Sequence, residues 1–329
     1  MFSNHRLRTL LLILAPLPIV AVSLVVSRWA RCEPLGPLSE NQAIVRGASA
    51  SQQVSVAADS GLENQCQMQA EALAAQLGPG CETLARPPFV LGGNMTADEL
   101  DGWYRRTIAP ATRAMARMYF RQTPSAPITV LLFGDEAHYT YYARQLFGEE
   151  GISVYGYYRP NTRTLITNIE TGSGTLVHEL THALVDFDFP GAPDWLNEGL
   201  ASLHEACTIS DERGIRGGTN WRLPGLQQAM REGRLPSLEQ LVSQPDFRGH
   251  SVGLNYAQAR YFCLYLQEQG LLERFYDRFR HARDPEQPQA RQVQLALGGA
   301  NWPDLDARFR DWVLSLGWQR SSARSPLAR

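Results

Sequence analysis

His178 and His182 stand four residues apart in the run Leu176-Val177-His178-Glu179-Leu180-Thr181-His182-Ala183-Leu184-Val185, and Glu198 follows His182 by sixteen positions. On an α-helix, positions four apart differ by about 40° in azimuth, so both imidazoles project from one face. Glu179 lies about 100° round the same helix, near that face without sharing it. Leu176, Leu180, Ala183 and Leu184 give the helix apolar surfaces by which it can be buried. Pro190-Gly191 breaks the helix, and Pro193-Asp194-Trp195-Leu196-Asn197-Glu198-Gly199-Leu200-Ala201 opens a second. The pattern reads as helix, tight turn and helix, which can fold the Glu198 carboxylate back towards the histidines; the other reading makes Glu198 a solvated helix residue. Two imidazoles and one carboxylate with a position left open are the ligand set of catalytic zinc, whereas structural zinc is usually closed by four protein ligands. The expectation is one Zn2+ per chain on His178, His182 and Glu198. A metal held there acidifies water to a pKa of about 7, and Glu179 is placed to act as general base.

Composition narrows the alternatives. The chain has 329 residues and a formal net charge of −2, which argues against a dedicated nucleic-acid binder. All 31 cationic residues are arginine, so lysine Schiff-base chemistry and a lysine general base are excluded. The length suffices for one substantial core.

The chain order indicates an α+β fold. Gln65 to Leu77 reads as a short helix ended by Gly78-Pro79-Gly80. Thr96, with Glu99 three residues on, caps a long helix to about Phe120 that Pro110 breaks or kinks. Ile128 to Phe133 reads as a buried strand, and Asp135 caps a helix through about Phe147. Val154 to Tyr158 and Thr164 to Asn168 form a hairpin around Arg159-Pro160-Asn161-Thr162-Arg163. Later segments all read as helices, near 174–187, 194–206, 224–232, 251–269, 270–281 and 303–316. Strands first and helices afterwards favour α+β over alternating βαβ.

The strings His-Glu-Leu-Thr-His and Asp-Trp-Leu-Asn-Glu-Gly-Leu-Ala resemble the gluzincin metallopeptidases, and most closely the peptidase MA-like domains of bacterial envelope proteins. The resemblance spans about residues 95 to 316. It includes Tyr155-Gly156-Tyr157-Tyr158, Pro236-Ser237-Leu238 and Asn255-Tyr256-Ala257-Gln258. It implies a zincin-like domain with a small N-terminal β-sheet, an active-site helix and a mainly helical C-terminal part. It also implies hydrolysis of peptide or protein, and places Tyr256 near the cleft as the donor to an oxyanion, with His250 as the alternative; the other reading of Tyr256 is that it packs against the core. The interval from His182 to Glu198 is shorter than in the zinc aminopeptidases, whose Trp-Leu-Asn-Glu-Gly string is otherwise similar.

Further residues have two readings each. Asp186 either fixes the tautomer of a ligand imidazole or is a surface acid. Asn197 orients the metal site or bonds backbone at the turn. His204 and Glu205 read as a polar helix edge in preference to a second metal site, and His138 as structural or exposed. Tyr157 and Tyr158 either line a groove where an extended peptide adds as a strand, or pack.

Leu10 to Val26 is an apolar run flanked by arginines, a signal anchor or a cleaved secretory signal within a segment 1–31. Residues 32–60 read as a linker, 61–320 as the folded domain and 321–329 as a disordered tail. A C-terminal domain exported to the cell envelope follows, tethered to the membrane or released. Export permits disulfides Cys66–Cys81 and Cys207–Cys263; the alternative for the latter pair is buried thiols. Two other functions stay open, a non-catalytic envelope scaffold braced by zinc and a zinc amidase acting on a non-peptide amide.

Overall fold

The computed structural model describes residues 52–148, 153, 155–282, 284 and 286–317, so the apolar run at Leu10–Val26 and the 321–329 tail lie outside the described residues. Helix α1 (Gln52–Leu77) leads into strands β1 (Glu82–Arg86) and β2 (Phe89–Gly93). Then come α2 (Ala97–Trp103), α3 (Ala109–Met118), β3 (Ile128–Phe133), α4 (Glu136–Phe147), β4 (Gly156–Arg159) and β5 (Thr164–Asn168). The strands form one five-stranded sheet in the order β1-β2-β3-β5-β4. Its β2–β3 and β3–β5 pairs are parallel, while β1–β2 and β4–β5 are antiparallel.

The three central strands are buried along their whole length, as parallel strands covered on both faces must be. Alternation then sorts their side chains. Val90, Leu131, Phe133 and Ile166 meet Ala70, Leu73 and Leu77 of α1 and Tyr139, Tyr142 and Ala143 of α4. Leu91, Val130, Leu132 and Leu165 face the main core with Leu176, Val177 and Leu180. These last three lie on α5 (Ser173–Asp188), which packs against β4 and β5.

The remainder is predominantly helical: α6 (Asp194–His204), α7 (Leu223–Arg231), α8 (Leu238–Ser243), α9 (Val252–Glu268), α10 (Leu272–His281), α11 (Gln289–Ala296) and α12 (Trp302–Ser315). A small hairpin of β6 (Cys207–Ser210) and β7 (Gly214–Gly217) follows α6. The protein is thus α+β in composition, with a mixed sheet and a helical C-terminal part. No described helix is long and apolar enough to cross a membrane.

Several expectations need correction. Helix α1 begins at Gln52, inside the stretch read as linker, because Ser, Ala and Gln support a helix without an apolar period. The sheet is not segregated from helices: α2–α3 and α4 lie in the crossovers between its parallel strands. Pro110 causes no break, since it falls at the start of α3 just after a π-helical turn, Tyr104–Ile108, where a missing amide hydrogen costs little. No disulfide joins Cys66 to Cys81 or Cys207 to Cys263. Cys81 Sγ instead donates to the Tyr142 hydroxyl at 3.2 Å, and burial pushes the Cys263 thiol up to about 12.

Two contacts fix where α5 and α6 sit. The first is a close approach of α6 to α9 at Gly199. A Cβ there would lie 2.9 Å from the Ala259 carbonyl oxygen and 3.0 Å from Cys263 Sγ. Gly199→Ala is expected to push the helices apart and to cost about 1–3 kcal/mol, displacing the adjacent Glu198. Urea unfolding checks this, and an unchanged midpoint would contradict it. The second is Asp188, buried at the end of α5. It accepts from the amides of Arg121 and Gln122 at 2.6 and 2.7 Å, and from the Tyr276 hydroxyl and Arg280 Nη1 at 3.0 Å each.

Candidate metal centre

Helix α5 carries both histidines because its buried face (Leu176, Val177, Leu180, Ala183 and Leu184) leaves His178 and His182 on the flank turned to α6. The chain reverses through Pro190 and Gly191, the latter at φ 69°, and α6 runs back along α5. Trp195, buried among Phe262, Phe275 and Phe279, seats the start of α6. Glu198, one turn further on, then reaches the histidines.

His178 Nε2 and His182 Nε2 are 3.1 Å apart, and Glu198 Oε2 is 3.5 Å from each. Donors held at 2.0–2.1 Å around a tetrahedral ion are separated from one another by about 3.3 Å. The His182 Nδ1 proton is directed to Asn197 Oδ1 at 2.8 Å, which leaves the Nε2 lone pair towards the cluster. Glu198 Oε2 is buried and has no hydrogen-bond partner. A buried carboxylate oxygen without a partner is costly unless a cation fills the place.

The electrostatics say the same. Burial, the largest single effect, lowers the His182 imidazole, but Glu198, Glu179 and Asn197 together outweigh it and push it up to about 9. Burial opposes ionisation of Glu198, yet the His182 and His178 imidazoles hold it well below the usual carboxylate range. These residues suit a divalent metal, and they form the cluster whose donor atoms all lie within 4.8 Å of one another.

Glu179 is 6% exposed, and burial pushes its carboxyl up against the pull of His178 and His182. The backbone amide of Tyr158 donates to it. That amide points away from β5, so the outer edge of β4 runs beside the cluster.

Tyr256 reaches the site. Its hydroxyl lies beside Glu198 and accepts from Arg248 Nη1 at 3.1 Å; burial, then the Glu198 carboxylate, push it up. His250 is exposed and makes no hydrogen bond or ion pair with the cluster.

Asp186 does not hold an imidazole; it accepts from the Tyr158 hydroxyl at 3.0 Å and so ties α5 to β4. Asn197 takes the orienting role instead. Tyr157 turns to the opposite face of the sheet, edge-on to Phe147 with ring centres 6.3 Å apart.

His204 and Glu205 are not a polar edge. His204 is fully buried against Tyr119, its Nδ1 3.1 Å from the Thr181 hydroxyl, and burial pushes it down to about 3. It therefore stays neutral and supports the back of α5. Glu205 pairs with Arg222 at 2.8 Å. His138 is exposed and bonds Asp135 at the cap of α4.

One residue at the site has no counterpart in the sequence-based expectations. Arg248, in the turn before α9, places Nη2 2.5 Å from Glu198 Oε1. No local pattern marks it, because its partner is 50 positions away. No protein-family model matches this chain, and no curated protein matches it.

Proposed function

We propose that the protein is a zinc-dependent metallopeptidase with a zincin-like domain of the gluzincin type, acting on peptide or protein in the cell envelope. The observation that carries the proposal is the buried Glu198 Oε2, without a hydrogen-bond partner and lying 3.5 Å from two imidazole nitrogens. His178, His182 and Glu198 would hold the ion. A bound divalent ion supplies Lewis acidity to polarise a scissile carbonyl and to acidify water.

The chain's own residues do the rest. Glu179, lifted by burial and steadied by the Tyr158 amide, takes the proton from the attacking water and returns it to the leaving nitrogen. The Tyr256 hydroxyl, at the edge of the cluster, donates to the charge that develops on the carbonyl oxygen. The outer edge of β4 suits an extended peptide, whose backbone would pair there as a further strand. The apolar run at Leu10–Val26 would tether the domain to the membrane or direct its export.

The test is hydrolysis of a mixed peptide library by the purified chain. Cleavage that a strong zinc chelator abolishes and added Zn2+ restores is the expected result. Cleavage indifferent to the chelator, or no cleavage by the zinc-loaded chain, would refute the proposal.

A further inference from the structure

We infer that Arg248 is a positioning residue of the metal centre: it occupies Glu198 Oε1, so that the carboxylate presents Oε2 alone to the metal, and it fixes the Tyr256 hydroxyl alongside. The inference rests on the function proposed above.

A carboxylate offers two equivalent oxygens, and a metal can take either or both. Here the choice is made in advance. Nη2 of Arg248 holds Oε1 at 2.5 Å, while Oε2 is left bare and aimed between the imidazoles. The second arm of the guanidinium, Nη1, reaches the Tyr256 hydroxyl at 3.1 Å. One rigid planar fork thus sets two groups at once, which a lysine ammonium on its flexible stem does not reproduce.

The arginine is itself held. Phe247, next to it, is 2% exposed and packs on the Tyr256 ring at 5.4 Å. The Phe247 carbonyl accepts from Asn255 Nδ2 at 2.8 Å. The Glu198 side chain is 3% exposed and that of Arg248 56%, so the guanidinium covers the carboxylate from the solvent side. Two carboxylates, Glu179 and Glu198, crowd this site, and Arg248 is the cation that the chain brings to Glu198. A weaker contact, 3.7 Å from Nε to Asp194 Oδ2, provides an internal control.

The experiment measures Zn2+ affinity of the full chain by competition with a chelator of known affinity, for wild type, Arg248→Met, Arg248→Lys and Asp194→Asn. Loss of a group that orients a metal ligand weakens binding by about 10–100-fold, the expectation for Arg248→Met. Arg248→Lys should recover part of the loss, and Asp194→Asn should match wild type. The Co2+-substituted Arg248→Met protein should also show an altered visible spectrum, as Glu198 becomes free to offer both oxygens.

Wild-type affinity together with a wild-type cobalt spectrum in Arg248→Met would overturn the inference and leave the metallopeptidase proposal standing. A wild-type chain that binds no zinc would overturn both.

Discussion

Glu179→Gln is expected to keep the metal and to lower hydrolysis by about 10²–10⁴-fold, the usual contribution of a positioned general base. The substitution is nearly isosteric. The Gln side chain retains an oxygen for the Tyr158 amide, and none of the three cluster donors is touched. Only the capacity to carry a proton disappears. Burial penalises the charge on Glu179, so an uncharged amide in the same place should not weaken the fold. Peptide hydrolysis and zinc content measured on one preparation separate the alternatives. Undiminished hydrolysis would remove Glu179 from the mechanism, and loss of zinc would make it part of the site's scaffold.

The largest expected loss of stability is at Asp188. An acid in the last turn of a helix opposes the helix dipole, so tertiary partners must justify it. It has four: the Arg121 and Gln122 amides, the Tyr276 hydroxyl and Arg280, whose side chain is 10% exposed. Asp188→Ala strands two backbone donors and leaves a mostly buried guanidinium with only its longer contacts to Asp277 and the residue 188 carbonyl, for a cost of about 3–5 kcal/mol. Urea unfolding of the purified protein measures it. A loss below about 1 kcal/mol would show that water replaces these contacts and that Asp188 is not the pin of α5.

What the sequence made legible was local in origin. The helical period of four that pairs His178 with His182, and the Pro190-Gly191 break that returns Glu198, need no information from distant residues. The same holds for β3, whose compact apolar run marks a strand buried on both faces, and for β5, which reads as one arm of the hairpin around Arg159-Pro160-Asn161-Thr162-Arg163. Strands β1, β2, β6 and β7 escaped notice because each is four or five residues long, and β1, β2 and β7 are bounded or interrupted by glycine or proline. Their identity lies in their partners. His204 looked like a surface residue since its burial depends on Tyr119 and Thr181, from two other helical segments. Asp186 is one turn beyond His182, yet the nearer claim on it comes from Tyr158 across the sheet edge. Arg248 is the clearest case, a turn residue whose meaning exists only once Glu198 is folded beneath it.

The stoichiometry of bound metal tests the central claim most directly. Elemental analysis of the purified chain should find about one zinc per molecule in wild type and in Glu179→Gln, and almost none in His178→Ala or Glu198→Ala. Wild type devoid of stoichiometric zinc after exposure to Zn2+, or full retention by His178→Ala, would contradict the account.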